Sequence, residues 1–205
     1  MLADKNIKVF LEETASSAPV PGGGSVAALS AGLAAALTAM VANLTIGKKG
    51  YEGLEEEMRS IANEAAEYRE KFLEYIDKDC ESFNGVMAAF KLPKETEEEK
   101  EIRKNQIQAG LKSAALVPLE VAQNALKMMN IVEKAVEKGN KNAVTDGAVA
   151  AMMARTAALS ALYNVKINLG SIKDAEFVGK VGKEVADIEE KVVKTEEDIL
   201  GKVIL

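Results

Sequence analysis

Apolar residues recur every three or four positions through Leu54, Met58, Ile61, Ala65, Tyr68, Phe72, Ile76, Phe83, Val86 and Phe90. This is the stripe of one long amphipathic helix. It predicts a helix from about Glu52 to Phe90, stopped at Leu92-Pro93. A short helix fits Lys5 to about Ala15, and a loop from Ser16 to Gly24 follows. Ser25 then opens an Ala-rich helix to about Ile46, closed by the turn Gly47-Lys48-Lys49-Gly50. Helical spacing resumes from about Glu97 to Lys138, with a break or kink expected near Val117-Pro118. Gly139-Asn140 punctuates, a second Ala-rich helix runs to about Leu169, and a charged amphipathic helix starts near Lys173.

The stretch from Thr14 to Gly47 carries no charge, which raises the question of a membrane span. Its apolar content is mostly Ala, with Ser30, Thr38, Asn43 and Thr45 interspersed, and Ala contributes little to membrane insertion. A helix that is small and apolar all round fits instead where neighbours cover every side. Ala143 to Ala161 has the same texture. The expectation is an all-α fold, one helical bundle spanning residues 1–205. Its two Ala-rich helices are buried and are shared with a second subunit.

Composition narrows the chemistry. The 205 residues include no His, no Trp and one Cys. Histidine-based nucleophiles, His general bases and HExxH zinc helices are therefore excluded, as are disulfides within the chain and Cys-rich metal sites. The net charge of −6 argues against nucleic acid or an anionic membrane as partner. MLADKNIKVF has no apolar core of a signal peptide, so a cytoplasmic protein is expected.

Several residues remain as candidates. Pro21-Gly22-Gly23-Gly24-Ser25 precedes a helix: Ser25 suits the N-cap, and the glycines let a ligand approach free N–H groups. The same segment also reads as a flexible turn into a capped helix. It lacks the Lys-Ser or Lys-Thr of a phosphate-binding P-loop. Asp79 sits three residues after Ile76 and four before Phe83, which places a carboxylate on the inward stripe, while Asp77 is rotated about 160° away. An inward carboxyl suits proton transfer when desolvated, and equally a buried ion pair. Asp146 lies in the first turn of the second Ala-rich helix, where it complements the helix dipole. Asn164 shares its face about 27 Å away, so the two serve opposite ends of a long ligand or different sites. Lys48 and Lys49 end an uncharged helix. They complement its dipole or form a local positive spot for an anion.

Ala18-Pro19-Val20-Pro21-Gly22-Gly23-Gly24-Ser25-Val26-Ala27-Ala28, Thr45-Ile46-Gly47, Asp77-Lys78-Asp79, Val117-Pro118-Leu119, Gly139-Asn140, Thr145-Asp146 and Tyr163-Asn164-Val165-Lys166-Ile167-Asn168-Leu169 form an ordered series. Together they resemble the formiminotetrahydrofolate cyclodeaminase family (cyclodeaminase/cyclohydrolase family) over almost the whole chain. The resemblance implies a helical homodimer acting on a folate, with no metal and no cofactor beyond the tetrahydrofolate substrate. A separate formiminotransferase is its implied functional companion. It assigns catalysis to Asp79, with Asp77 second. Gly22, Gly23, Gly24, Ser25, Lys48 and Lys49 would bind the folate or its glutamate tail. Asn140, Asp146 and Asn164 would bond its polar edges. The implied reaction makes 5,10-methenyltetrahydrofolate and ammonia from 5-formiminotetrahydrofolate. Methenyltetrahydrofolate cyclohydrolase and a non-catalytic folate-binding dimer are the competing readings.

Overall fold

The computed structural model describes residues 1–205 and contains no strand. Six α-helices follow in order: α1 (Ile7–Thr14), α2 (Gly23–Asn43), α3 (Glu55–Phe90), α4 (Glu97–Lys138), α5 (Val144–Leu169) and α6 (Ala175–Leu200). Single 3-10 turns occur at Leu2–Asp4, Glu52–Leu54 and Lys141–Ala143. Sequential helices α2 to α6 run antiparallel, as cross-links at both ends require. Ser25 at the start of α2 meets Ile76 and Cys80 beyond the middle of α3, and Lys71 of α3 bonds Asn124 of α4. Near one end Asn168 of α5 reaches Ala114 of α4, and at the other Lys138 pairs with Glu57.

α2 and α5 are the Ala-rich pair, and each is long and apolar enough to span a membrane by length and composition alone. In the bundle, Ala27, Ala28, Ala31, Ala34 and Ala35 of α2 are buried, as are Ala150, Ala151, Ala154, Ala157 and Ala158 of α5. Burial stops short of the full circumference. Val26, Leu33 and Met40 of α2 and Val149, Met152 and Tyr163 of α5 are exposed. Larger buried residues complete the same core from the other helices: Met58, Phe72 and Ile76 from α3, Met128 and Met129 from α4, and Val192 and Ile199 from α6.

Helix ends follow recognisable side-chain chemistry. Thr96 and Glu99 form a reciprocal capping box at the start of α4, and Asp174 accepts from the Phe177 N–H at the start of α6. Gly47 and Gly50 have φ of +69° and +90°, which turns the chain between α2 and α3. Arg155 of α5 lies 2.9 Å from Glu196 of α6, close enough for charge pairing but not aligned as a hydrogen bond.

The break expected at Pro118 does not occur; α4 is continuous through it, and Pro118 is buried. A proline inside a helix removes one N–H and orphans the carbonyl four residues earlier. That carbonyl is Ala114's, and the Asn168 side-chain amide donates to it at 3.0 Å. A neighbouring helix thus supplies the missing donor.

Gly139, which closes α4, is needed for close approach. A Cβ there would overlap the Ala135 carbonyl and come within 2.7 Å of Val41 Cγ1 on α2. Gly139→Ala is therefore expected to lose about 1–3 kcal/mol of stability through overpacking. Urea denaturation checks this, and an unchanged midpoint would contradict the packing.

Candidate functional site

Three glycines let α2 begin earlier than a Ser25 cap allows. Gly22 is the N-cap, so Gly23, Gly24 and Ser25 occupy the first turn. Ser25 is fully buried and does not cap. Its hydroxyl lies 3.0 Å from Asp79 Oδ2, 3.2 Å from the Ile76 carbonyl and 3.3 Å from Cys80 Sγ. The capping role expected of Ser25 from sequence is therefore not the one it has: its side chain bonds Asp79 instead.

The inward stripe of α3 delivers Asp79 to the N-terminus of α2. There the carboxylate takes the place an external anion would occupy against the positive end of the helix. A Cβ on Gly24 would overlap the Asp79 carboxyl, so only glycine permits the approach. Burial pushes the Asp79 carboxyl above the usual aspartate range, while the Ser25 hydroxyl and N–H pull it part of the way back. A hydroxyl can both donate and accept. Ser25 therefore donates to the ionised carboxylate, and can accept from the protonated acid while donating to the Ile76 carbonyl. Both protonation states have a partner.

Asp79 opens into a cleft of about 300 Å³. Gly22, Gly23 and Gly24 line one side, Phe83 and Val86 of α3 another, and Asn164, Ile167 and Asn168 of α5 the rim. Asn164 donates its Nδ2 to the Ser160 carbonyl at 2.9 Å, leaving Oδ1 available. Asn168 is fixed by its bonds to the Ala114 and Asn164 carbonyls. Asn168 and Phe83 complete the lining, though no site role was expected of either from sequence. The signals for them were present: Asn168 follows Asn164 by one helical turn, and Phe83 follows Asp79 by the same step.

Asp77 faces elsewhere. Its Oδ1 accepts the Leu2 N–H at 2.7 Å and its Oδ2 is buried without a partner, so it anchors the N-terminal turn rather than joining the cleft. The remaining candidates gather at the opposite end of the bundle. Lys48 donates to Asn140 Oδ1 at 2.8 Å, and Asn140 is locked by Thr45 Oγ1 and the Leu44 carbonyl. Lys49 is exposed beside it, and Asp146 is in the first turn of α5 at the same end. The structure therefore unites Gly22, Gly23, Gly24, Asp79 and Asn164 in one place and Lys48 with Asn140 in another. No three Cys, Asp or Glu side chains converge to hold a metal ion.

Comparison with known proteins gives a consistent set. Residues 6–187 match the family described as Formiminotransferase-cyclodeaminase. The chain is 40% identical to a methenyltetrahydrofolate cyclohydrolase of Methylorubrum extorquens, over 90% of this chain and 89% of that protein. It is 32% identical to the formimidoyltransferase-cyclodeaminase of Rattus norvegicus over 91% of this chain, but spans only 35% of that longer protein. The crystal structure of formiminotetrahydrofolate cyclodeaminase from Thermotoga maritima superposes with a TM-score of 0.89 at 32% identity, covering 99% of this chain and 98% of that one.

Because the Asp79 pKa is raised in the fold, the folded protein holds this proton more tightly than the unfolded chain, where the ordinary value is 3.8. Between that value and the raised one, stability falls as pH rises. Asp79→Asn removes this contribution. Its stability relative to the parent protein is expected to improve as pH climbs through the window and then level off, as read by urea melts at a series of pH values. A pH-independent difference would contradict the shift.

Proposed function

The chain belongs to the Formiminotransferase-cyclodeaminase family, and on that premise we propose that it converts 5-formiminotetrahydrofolate to 5,10-methenyltetrahydrofolate and ammonia. One observation carries the reading: a desolvated carboxyl, Asp79, held at a helix N-terminus by a hydroxyl that serves both of its protonation states. In the reaction, N10 of the folate attacks the formimino carbon and forms a tetrahedral centre in a five-membered ring. N10 then loses its proton, and the former imino nitrogen must gain one to leave as ammonia. Asp79 takes the first proton and returns it to the departing nitrogen, so it ends as it began. The amidinium charge of the substrate becomes the charge of the methenyl product, and atoms and charge balance. A carboxyl whose pKa is raised toward the working pH is suited to both transfers.

The glycines at 22–24 admit the reacting ring close to the α2 N-terminus, and the Asn164 side-chain Oδ1 offers an acceptor to its polar edge. The reading needs no cofactor beyond the folate, since every step moves a proton or forms or breaks a C–N bond. It also includes a cytoplasmic homodimer joined through the uncharged outer strip of α2 and α5, and a separate formiminotransferase supplying the substrate.

A second reading has its own support, because the Methylorubrum relative is a methenyltetrahydrofolate cyclohydrolase. There Asp79 would take a proton from water as it adds to the same carbon and pass it to N5 as the C–N5 bond breaks, the added hydroxyl losing its proton to solvent, so that the N10-formyl product forms without ammonia. Incubation with each folate separates them. Cyclodeamination predicts near-UV methenyl absorbance and ammonia growing from 5-formiminotetrahydrofolate. Cyclohydrolysis predicts methenyl absorbance vanishing faster than background, with no ammonia from the formimino compound. Binding without turnover of either would mark a non-catalytic folate binder.

Asp79→Asn is expected to fold and to lose about 10²–10⁴-fold in turnover; full activity in a folded variant would sink the assignment. Gly24→Ala should keep the fold but push the carboxyl aside, with a loss of about 10²-fold from misplacement. The same assay checks it, and parental turnover would show that the close approach is dispensable.

A further inference from the structure

No Lys or Arg lines the Asp79 cleft. Lys78, one residue before Asp79, pairs with Glu74. Both cations of α5, Arg155 and Lys166, pair with Glu196 and Glu189 of α6. The one formal charge in the cleft is therefore the carboxylate of Asp79.

The side-chain donors of the lining are largely engaged within the fold. The Ser82 hydroxyl donates to the Asp79 carbonyl, and Asn164 gives one of its two amide protons to the Ser160 carbonyl. Asn168 gives both, one to the Ala114 carbonyl at 3.0 Å and one to the Asn164 carbonyl at 2.9 Å. A primary amide has two N–H donors and one carbonyl acceptor, so Asn168 can offer a ligand only its Oδ1. Neither asparagine Oδ1 accepts a bond from the protein, and neither is sealed from solvent. The open end of α2 is the other source of donors, and it lies against these acceptors. A Cβ on Gly24 would overlap Asp79, and one on Gly23 would come within 3.5 Å of Asn164 Oδ1.

Three acceptors thus share the cleft: the Asp79 carboxylate from α3, and two amide oxygens from α5 one turn, or about 6 Å, apart. This polarity suits a positively charged group rich in N–H bonds. A carbonyl oxygen in the same place would face lone pairs without a donor. The proposed cyclodeamination generates such a group. The formimino nitrogen carries two N–H bonds in the amidinium and gains a third from Asp79 as the C–N bond breaks. We propose that Asn168 and Asn164, through their Oδ1 atoms, form the pocket for the departing nitrogen and select a C–N over a C–O bond at the reacting carbon. With Asp79 as the third acceptor, each N–H has a partner. The match is complete only as the nitrogen leaves, where it lowers the barrier rather than merely tightening binding. The pocket rests on the cyclodeaminase reading for its ligand and names the residues that make the choice.

The probes are 5-formiminotetrahydrofolate and its oxygen isostere, 5-formyltetrahydrofolate, which differ at this one atom. In initial-rate competition, the formyl compound is expected to inhibit the parental protein with a constant at least about tenfold above the formimino KM. Asn164→Leu should lower kcat/KM for the formimino compound about 10- to 100-fold, the size expected of a hydrogen bond to a charged group. It should leave the formyl inhibition constant within about twofold, since no bond to oxygen is lost. Asn168→Ala should do the same. That change also frees the Ala114 carbonyl, whereas Asn164→Leu gives up only a bond within its own helix, so the test stands if Asn168→Ala fails to fold. A structural role would weaken both compounds alike.

Formyl binding as tight as formimino binding, equal weakening of both compounds, or parental turnover in Asn164→Leu overturns the pocket. If the parental protein still releases ammonia from the formimino compound, the cyclodeaminase reading survives that result. A parental protein that neither binds nor turns over the two compounds overturns both.

Discussion

The carboxyl of Asp79 against the first turn of α2 is the contact on which the rest of the site depends. A desolvated carboxylate is costly, and here the cost is offset by the open end of a helix and by one hydroxyl. The arrangement constrains three positions at once. Residue 24 has no room for a side chain, residue 25 must be a buried donor and acceptor, and α3 must present residue 79 inward. The helix end that could have bound an external anion is instead occupied by the protein's own carboxyl.

The opposite rim of the cleft is fixed from a different direction. Pro118 leaves the Ala114 carbonyl without its helical donor, and Asn168 fills that gap. This anchors the end of α5, and Asn164, one turn earlier, is held over the glycine turn. The continuity of α4 and the shape of the cleft are thus linked through one side-chain amide. Far from the cleft, Asn140 performs a comparable task, joining the end of α2 to the start of α5 and accepting from Lys48.

Much of this was legible in the chain before any coordinates. The three-four spacing through Ile76, Asp79 and Phe83 identified the inward carboxyl, and the helix order emerged within a few residues at each boundary. What the sequence concealed has physical reasons. A run of glycines carries no side-chain signal for where a helix starts, so Ser25 read as a cap although it lies in the first turn. Proline's effect on a helix depends on whether a neighbour can satisfy the freed carbonyl, and Asn168 is fifty residues away in sequence from Pro118. Asp77 binds the backbone of Leu2, a contact with no local pattern. The separation of Asp146 from Asn164 was visible only as a distance along one helix, and the bundle puts the two at opposite ends.

The central claim is that Asp79 is a proton carrier because the fold keeps its carboxyl partly protonated above the ordinary aspartate range. The most direct test is carbon-13 NMR of the protein with labelled aspartate side chains, with the Asp79 resonance assigned by its loss in Asp79→Asn. The account predicts that this carboxyl titrates above 3.8. It also predicts that turnover changes with pH through the same midpoint. A carboxyl that titrates at or below the ordinary value would contradict the account.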